Sequence, residues 1–136
     1  MEYRELGNSG LKVGAVGIGG EYLEYEDRDT VIRTMHRAME LGVNILDVFM
    51  SNPEVRTNLG LAVKDRRGDI LIQGHVCSVW ENGQYLRTRD LNKTKLFAED
   101  LFQRLQTDYI DIGMLHYVDT PEDWKTVQEN GIIDYM

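Results

Sequence analysis

Three ionisable side chains follow three consecutive predicted strands. Asp47 lies at the end of the second strand, His75 follows the third and His116 follows the fourth. An imidazole gains or loses a proton near neutral pH, and a neighbouring carboxylate orients it or stabilises its charge. One such histidine alone would more often only satisfy loop backbone groups. Three titratable residues at matching positions instead favour an acid–base site.

The elements that would carry these residues alternate between strands and helices. Residues 2–13 predict a hairpin, with a turn rich in Gly, Asn and Ser at its centre. Residues 13–136 predict four βα units. Their strands are expected at 13–18, 43–49, 70–72 and 109–115. Asp27, Ser51 or Asn52, and Thr120 are suitable N-caps for the first, second and fourth helices.

This alternation predicts a single α/β domain over residues 1–136, with one parallel sheet and right-handed crossovers. Two architectures fit the pattern. One is a four-stranded doubly wound sheet, and the other is the first half of a (β/α)₈ barrel. Ligands bind at the carboxyl ends of the strands in both. The hydrophobic pattern alone does not separate the two.

Gly19 and Gly20 end the first predicted strand. Glycine lets the backbone turn sharply or approach a ligand closely, so these two residues are candidate cofactor contacts. The preceding Gly14 and Gly17 do not complete a G-x-G-x-x-G motif in a strand–turn–helix frame. A dinucleotide fingerprint is therefore not supported here.

Composition disfavours several classes of partner. The net charge is −8, from 15 basic and 23 acidic residues. Surfaces that bind nucleic-acid phosphates are usually positively charged. No apolar stretch approaches the ~20 residues of a membrane span. Cys77 is the single cysteine, so an intramolecular disulfide is impossible and a reducing cytosol is expected. We therefore expect a cytoplasmic protein with neither nucleic-acid nor membrane partners.

Three segments, in the same order and spacing, resemble the aldo/keto reductases. Residues 3–13 resemble the family's N-terminal hairpin, and 44–47 its second-strand motif. Residues 105–112, followed by Leu115, His116 and Asp119, resemble its fourth-strand motif. The resemblance runs from about residue 2 to the end of the chain. It implies a (β/α)₈ barrel whose bottom is closed by the hairpin.

The resemblance also implies reduction of an aldehyde or ketone by NADPH or NADH, without a metal. Asp47 and His116 match two members of the family's catalytic tetrad, while Asn52 stands where a Tyr acid is expected and His75 where a Lys is expected. His75 could replace the acid, with the Asp47 carboxylate stabilising its charge. Gly19, Gly20 and Asp47 would contact the nicotinamide end of the cofactor.

A barrel of this type needs about 250 residues, so a chain of 136 corresponds to about half of one. In the family, later loops hold most of the cofactor's phosphates. The half is therefore expected to bind NADP or NAD weakly or not at all. Its two open sheet edges, at the first and fourth strands, predict a homo-oligomer. Two alternatives remain: a catalytically inactive half-barrel, and a metal-dependent hydrolase with Asp47, His75 and His116 as ligands.

Overall fold

The computed structural model describes all 136 residues and contains eight strands. In chain order they are β1 (Tyr3–Glu5), β2 (Lys12–Gly14), β3 (Ile18–Gly19), β4 (Ile45–Val48), β5 (Leu71–Val76), β6 (Ser78–Glu81), β7 (Gln84–Arg87) and β8 (Ile112–Leu115). Strands β1 and β2 form the expected antiparallel hairpin. The Tyr3 hydroxyl ties this hairpin to the rest of the fold, because it donates to the Gly42 carbonyl at 2.8 Å.

Five α-helices connect and cover the strands. They are α1 (Arg28–Glu40), α2 (Pro53–Val63), α3 (Leu91–Leu105), α4 (Pro121–Glu129) and α5 (Ile132–Tyr135). Asp27 and Thr120 accept hydrogen bonds from backbone amides at the starts of α1 and α4, as their positions predict. None of the helices combines the length and the apolar character that crossing a bilayer requires.

The main sheet is parallel, and its strands lie in the order β3–β4–β5–β8. Each strand pairs with the next sheet strand along the chain, without the reversal of order of a doubly wound sheet. Core residues of α1, α2 and α3 pack with those of β4 and β5 in one cluster. These are consecutive strands of a partial barrel, and the sheet is open rather than closed.

Alternation along the strands separates two faces of this sheet. Leu46, Val48 and Ile72 are buried in the cluster beneath the helices. Asp47 and His75 point to the opposite face and are only partly buried. The residues with chemical potential therefore lie on the face that would line a barrel.

Helices α2 and α3 approach each other at Gly60. A Cβ at this position would overlap the Arg104 carbonyl oxygen, so only glycine allows the observed spacing. Nearby, Arg56 is 1% exposed and links the two helices to the loop after β4. Its guanidinium donates to the Met50 carbonyl at 3.1 Å and the Phe97 carbonyl at 2.9 Å.

The predicted buried strand at 13–18 is wrong. Its first residues belong to the hairpin, Val16 is 60% exposed, and only Ile18–Gly19 pair within the parallel sheet. The chain bends because Asn44 binds it twice, accepting from the Gly14 amide and donating to the Lys12 carbonyl. Local hydrophobicity does not report such a long-range contact.

The later strands also differ from prediction. The third sheet strand continues to Val76 instead of stopping at residue 72, while the fourth starts at Ile112 instead of 109. The polar segment 78–90 contains a second hairpin, β6–β7, around Asn82 and Gly83. Both turn residues have positive φ, as a two-residue hairpin requires.

Candidate active site

The Asp47 carboxylate is held from the neighbouring strand. Asp47 on β4 lies opposite Gln73 on β5, and the Gln73 amide donates to Asp47 Oδ1 at 2.8 Å. Burial opposes the charged form of Asp47, but hydrogen bonds from His75 and Gln73 outweigh it and lower its carboxyl pKa. The site therefore keeps a fixed negative charge at its base.

His75 uses both of its ring nitrogens. Its Nε2 lies 3.1 Å from Asp47 Oδ1, and its Nδ1 lies 3.0 Å from Nδ1 of His116. An ionised carboxylate only accepts hydrogen bonds, so Nε2 of His75 carries a proton. Asp47, His75 and His116 thus form a hydrogen-bonded three-residue chain, with His75 as its middle member.

His116 is the most enclosed member, with 2% of its surface exposed. Phe49 stacks on its ring at 5.8 Å, and the Tyr117 ring lies 4.3 Å away. Burial is the main cause that lowers the His116 pKa to about 4, and the positive charges of His75 and Arg89 add to it. Its imidazole is therefore neutral at pH 7.

Nε2 of His116 has no hydrogen-bond partner although it is buried. Such atoms are rare, because an unsatisfied buried polar atom costs about 1–3 kcal/mol. A ligand oxygen at this position would remove that cost. This unpartnered nitrogen is the clearest indication of a binding function in the protein.

A cavity of about 310 Å³ joins these groups, which is the lower end of the range for small-molecule sites. Its lining residues are Glu21, Asp47, Phe49, His75, Tyr85, Met114, Leu115, His116 and Tyr117. A second cavity of about 340 Å³ adjoins it and shares Glu21 and Tyr85. A larger depression near Arg67 lies apart from the three-residue chain.

Arg89 fixes the backbone that carries His116. Its guanidinium donates to the His116 carbonyl at 3.0 Å and to both carboxylate oxygens of Asp123 at 2.7 Å. The hydrogen bond from Arg89 is the main cause that lowers the Asp123 pKa.

Cys77 and Tyr117 flank the site with positive φ values of 74° and 45°. Non-glycine residues rarely adopt this conformation, so the surrounding contacts hold the turns in place.

The structure brings Asp47, His75 and His116 together, as the sequence predicts. Gly20 also lies beside Asp47, since its amide donates to the Asp47 carbonyl at 2.9 Å. A Cβ placed on Gly19 would meet no atom within 4 Å, so space remains open there. Whether either glycine contacts a cofactor stays a prediction.

Asn52 caps helix α2. Its side-chain oxygen accepts from the Glu54 amide at 2.8 Å, and its Nδ2 donates to Glu24 at 2.7 Å. None of its hydrogen bonds reaches the three-residue chain. A catalytic role for Asn52 stays a prediction, and the structure gives this residue a helix-capping role.

Sequence reasoning missed three contributors to the site. Gln73 lies two residues before His75 and hence on the same strand face, a signal that period-two alternation could have identified. Phe49 directly follows β4 and stacks on His116, a contact that its hydrophobic character alone does not indicate. Tyr85, in the hairpin β6–β7, lies against Phe49 and His116.

A hydrolytic metal centre lacks a suitable donor set. The structure contains no group of three or more His, Cys, Asp or Glu side chains arranged to hold a metal ion. Both nitrogens of His75 already bind within the protein. Nothing in the geometry therefore favours the hydrolase alternative.

Comparisons with known proteins agree with this fold. The sequence model of the Aldo/keto reductase family matches residues 10–135. The uncharacterized oxidoreductase YqkF of Bacillus subtilis is 30% identical over 146 residues, covering 99% of this chain and 47% of that protein. The holo form of aldo-keto reductase AKR11C1 from Bacillus halodurans superposes with a TM-score of 0.78 and 31% identity, covering 98% of this chain and 47% of that one.

An aldo-keto reductase from Klebsiella pneumoniae in complex with NADPH is similar in fold, with a TM-score of 0.62 and 18% identity. That match covers 90% of this chain and 43% of the Klebsiella chain. The chain thus spans less than half the length of each of these three proteins.

Proposed function

The chain belongs to the aldo/keto reductase family, and we propose that its three-residue chain is the acid–base part of a site that reduces an aldehyde or ketone. The observation that carries the proposal is the buried, unpartnered Nε2 of His116. The His116 ring borders a cavity large enough for a small carbonyl compound. A substrate oxygen placed there would receive a hydrogen bond from a group shielded from water.

The roles of the residues follow from their free atoms. In the proposed reaction, a bound nicotinamide cofactor supplies hydride to the carbonyl carbon. His116 Nε2 contacts the carbonyl oxygen and stabilises its developing negative charge. His75 has no free ring nitrogen, so it acts behind His116, and Asp47 fixes its orientation.

The cavity fits only one end of the cofactor. Open space beside Gly19 and the aromatic walls suit a neutral nicotinamide ring. No Lys or Arg lines the cavity, so the pyrophosphate would find no cation there. We expect NADP or NAD to bind this chain alone weakly, with the phosphate sites supplied elsewhere in a whole enzyme. The NADPH complex of the Klebsiella protein supports this cofactor class within the fold.

The proposed setting is the cytosol, with a small carbonyl compound as the partner. Cys77 is free and buried, which suits a reducing compartment. We also expect this polypeptide to self-associate, since the outer edges of β3 and β8 are unpaired.

The decisive experiment compares this chain with a version extended to eight βα units. Nicotinamide cofactor binding is measured by fluorescence, followed by turnover on a panel of aldehydes and ketones. His116→Gln removes the unpartnered imidazole nitrogen. His36→Gln is the matched control, because the His36 ring contacts the Ala62 carbonyl of α2 at 3.0 Å and lies outside the candidate site. The proposal requires cofactor binding by the extended protein, and loss of turnover in His116→Gln but not in His36→Gln. If the extended protein binds neither NADPH nor NADH, the proposal fails.

An inactive half-barrel is the second candidate. Asn52 favours it, because this amide replaces the expected Tyr and is committed to capping α2. An amide cannot donate a proton with useful acidity. Turnover by the extended protein that disappears in His75→Ala would exclude this candidate.

A further inference from the structure

The hydrogen bond between Nδ1 of His75 and Nδ1 of His116 imposes a rule on where protons can lie. One of the two nitrogens must carry a hydrogen and the other must accept it. Nε2 of His75 already donates to Asp47. The protonation of His75 therefore determines which nitrogen of His116 carries a hydrogen.

Two states satisfy all of these contacts. When His75 is neutral, its Nδ1 is an acceptor, so His116 donates from Nδ1 and its buried Nε2 is a bare lone pair. When His75 is charged, its Nδ1 donates, so His116 accepts at Nδ1 and its Nε2 carries the hydrogen. His116 is neutral in both states, as expected from its burial.

We propose that Asp47, His75 and His116 form a proton relay in which one proton added at His75 converts His116 Nε2 from an acceptor into a donor. The existence of the relay rests on the hydrogen-bond geometry alone. Its use in carbonyl reduction rests on the proposed function. The relay assigns His75 to proton storage and His116 to substrate contact.

The step balances in both directions. In reduction, a bound nicotinamide cofactor would supply hydride to the carbonyl carbon, and the C=O π electrons would move to oxygen. The His116 Nε2–H bond breaks as the new O–H bond forms, and the Nδ1 hydrogen of His75 transfers to Nδ1 of His116. His75 ends neutral while still donating from Nε2 to Asp47. Alcohol oxidation is the reverse, with the alcohol proton stored on His75.

The surroundings favour storage at His75 over His116. The Asp47 carboxylate lies 3.1 Å from His75 Nε2, whereas the cations near His116 disfavour a second positive charge. The titratable and charged groups that share a cavity with His75 or act on the His116 pKa are Asp47, Glu21, Tyr85, Arg87, Arg89, Asp111, Tyr117, Asp119 and Tyr135. The pKa of His116, lowered to about 4, keeps its ring from holding the extra proton at neutral pH.

The relay can be tested without cofactor or substrate, by nuclear magnetic resonance of isotope-labelled histidine nitrogens. The protein has only three histidines, and the exposed His36 serves as the internal reference. Spectra are recorded from about pH 8 to about pH 5, and signals are assigned with His36→Gln and His75→Gln. We expect His116 to exchange its protonated nitrogen from Nδ1 to Nε2 in step with the titration of His75, while remaining neutral.

Asp47→Asn provides the second measurement. Loss of the carboxylate should move the tautomer exchange of His116 to lower pH, and denaturant unfolding checks that the variant is folded. The relay is overturned if His116 keeps one tautomer throughout, or if it takes up a proton itself in this range. A reductase assay without turnover, together with an observed tautomer exchange, would reject only the proposed function.

Discussion

The Nδ1 atoms of His75 and His116 lie 3.0 Å apart, so imidazoles at the ends of two neighbouring strands share one hydrogen. The strands β5 and β8 that carry them are paired in parallel, with His75 opposite Met114. The His116 amide extends this pairing by donating to the Val76 carbonyl at 2.9 Å. Strand pairing thus sets the distance between the two rings, which no feature of either segment alone determines.

Replacing His116 by Gln should abolish most of the carbonyl reduction. Gln retains a polar side chain but cannot relay a proton, and general acid–base groups contribute roughly a hundredfold to ten-thousandfold in rate. We expect kcat of the extended protein to fall within this range, with a smaller change in KM. Steady-state kinetics measure it, and a variant with unchanged kcat would show that His116 does not contact the reacting oxygen.

Stability should fall on acidification because of His116. Its pKa is lowered from 6.5 to about 4 in the folded protein, so between these values the unfolded chain binds more protons than the native one. The free energy of unfolding therefore rises with pH across this window. The contribution of the neutral His116 to stability is lost as pH falls from about 6.5 to about 4. The size is on the order of 3 kcal/mol.

Urea unfolding at about pH 7.5 and about pH 4.5 tests this pH dependence. His116→Phe retains an aromatic ring against Phe49 and removes the titrating group, so its loss of stability between the two pH values should be smaller. His36→Gln should behave like the unsubstituted protein. Equal losses in all three proteins would contradict the assignment to His116.

Several features of the fold follow from local sequence. Helix starts at Asp27 and Thr120 were predictable because a side-chain oxygen before a helix satisfies free amides. The convergence of Asp47, His75 and His116 was predictable because parallel strands present their carboxyl ends at one edge. These rules depend on neighbours in sequence or on strand direction alone.

Other features depend on contacts that local patterns do not encode. Arginine is usually a surface residue, yet the Arg56 side chain is buried and bonds to the loop after β4 and to α3. Asn52 was compared with a catalytic Tyr by its spacing from Asp47, whereas its environment makes it a helix cap. The pairing of the two imidazoles requires their side-chain conformations, which follow only from the packed structure.

Arg56→Met should destabilise the fold by about 3 kcal/mol. The substitution leaves the carbonyls of Met50 and Phe97 without their donor, although Met approximates the length of the Arg side chain. Arg37→Met is the matched control, since the Arg37–Glu40 pair is more than half exposed and such pairs contribute about 0–1 kcal/mol. Chemical unfolding measures both, and equal effects would contradict a structural role for Arg56.

The ring of Tyr85, rather than its hydroxyl, should matter to the site. It lies edge-on against Phe49, with ring centres 5.1 Å apart, and also against His116. Tyr85→Ala should admit water and shift the pKa of His116 upward, because burial is the main cause of its lowering. Tyr85→Phe should leave it nearly unchanged.

Histidine titration by nuclear magnetic resonance distinguishes these two Tyr85 variants. Tyr22→Ala is the control, since Tyr22 is 81% exposed and lines only the neighbouring cavity. If Tyr85→Phe shifted the His116 titration as far as Tyr85→Ala does, the hydroxyl would be the important group.

A polypeptide of this sequence should associate with further copies of itself. Strands β3 and β8 leave one edge each without a partner, and unpaired edges of parallel sheets readily recruit other strands. Met114 on the edge strand β8 is 39% exposed and also lines the candidate cavity. We therefore expect light scattering to report a dimer or a larger assembly.

Met114→Lys should shift the distribution of assemblies toward monomer, because a charge on the edge strand opposes pairing. Leu41→Lys, after α1, should leave the distribution unchanged. A monodisperse monomer of the unsubstituted chain would contradict association through these edges.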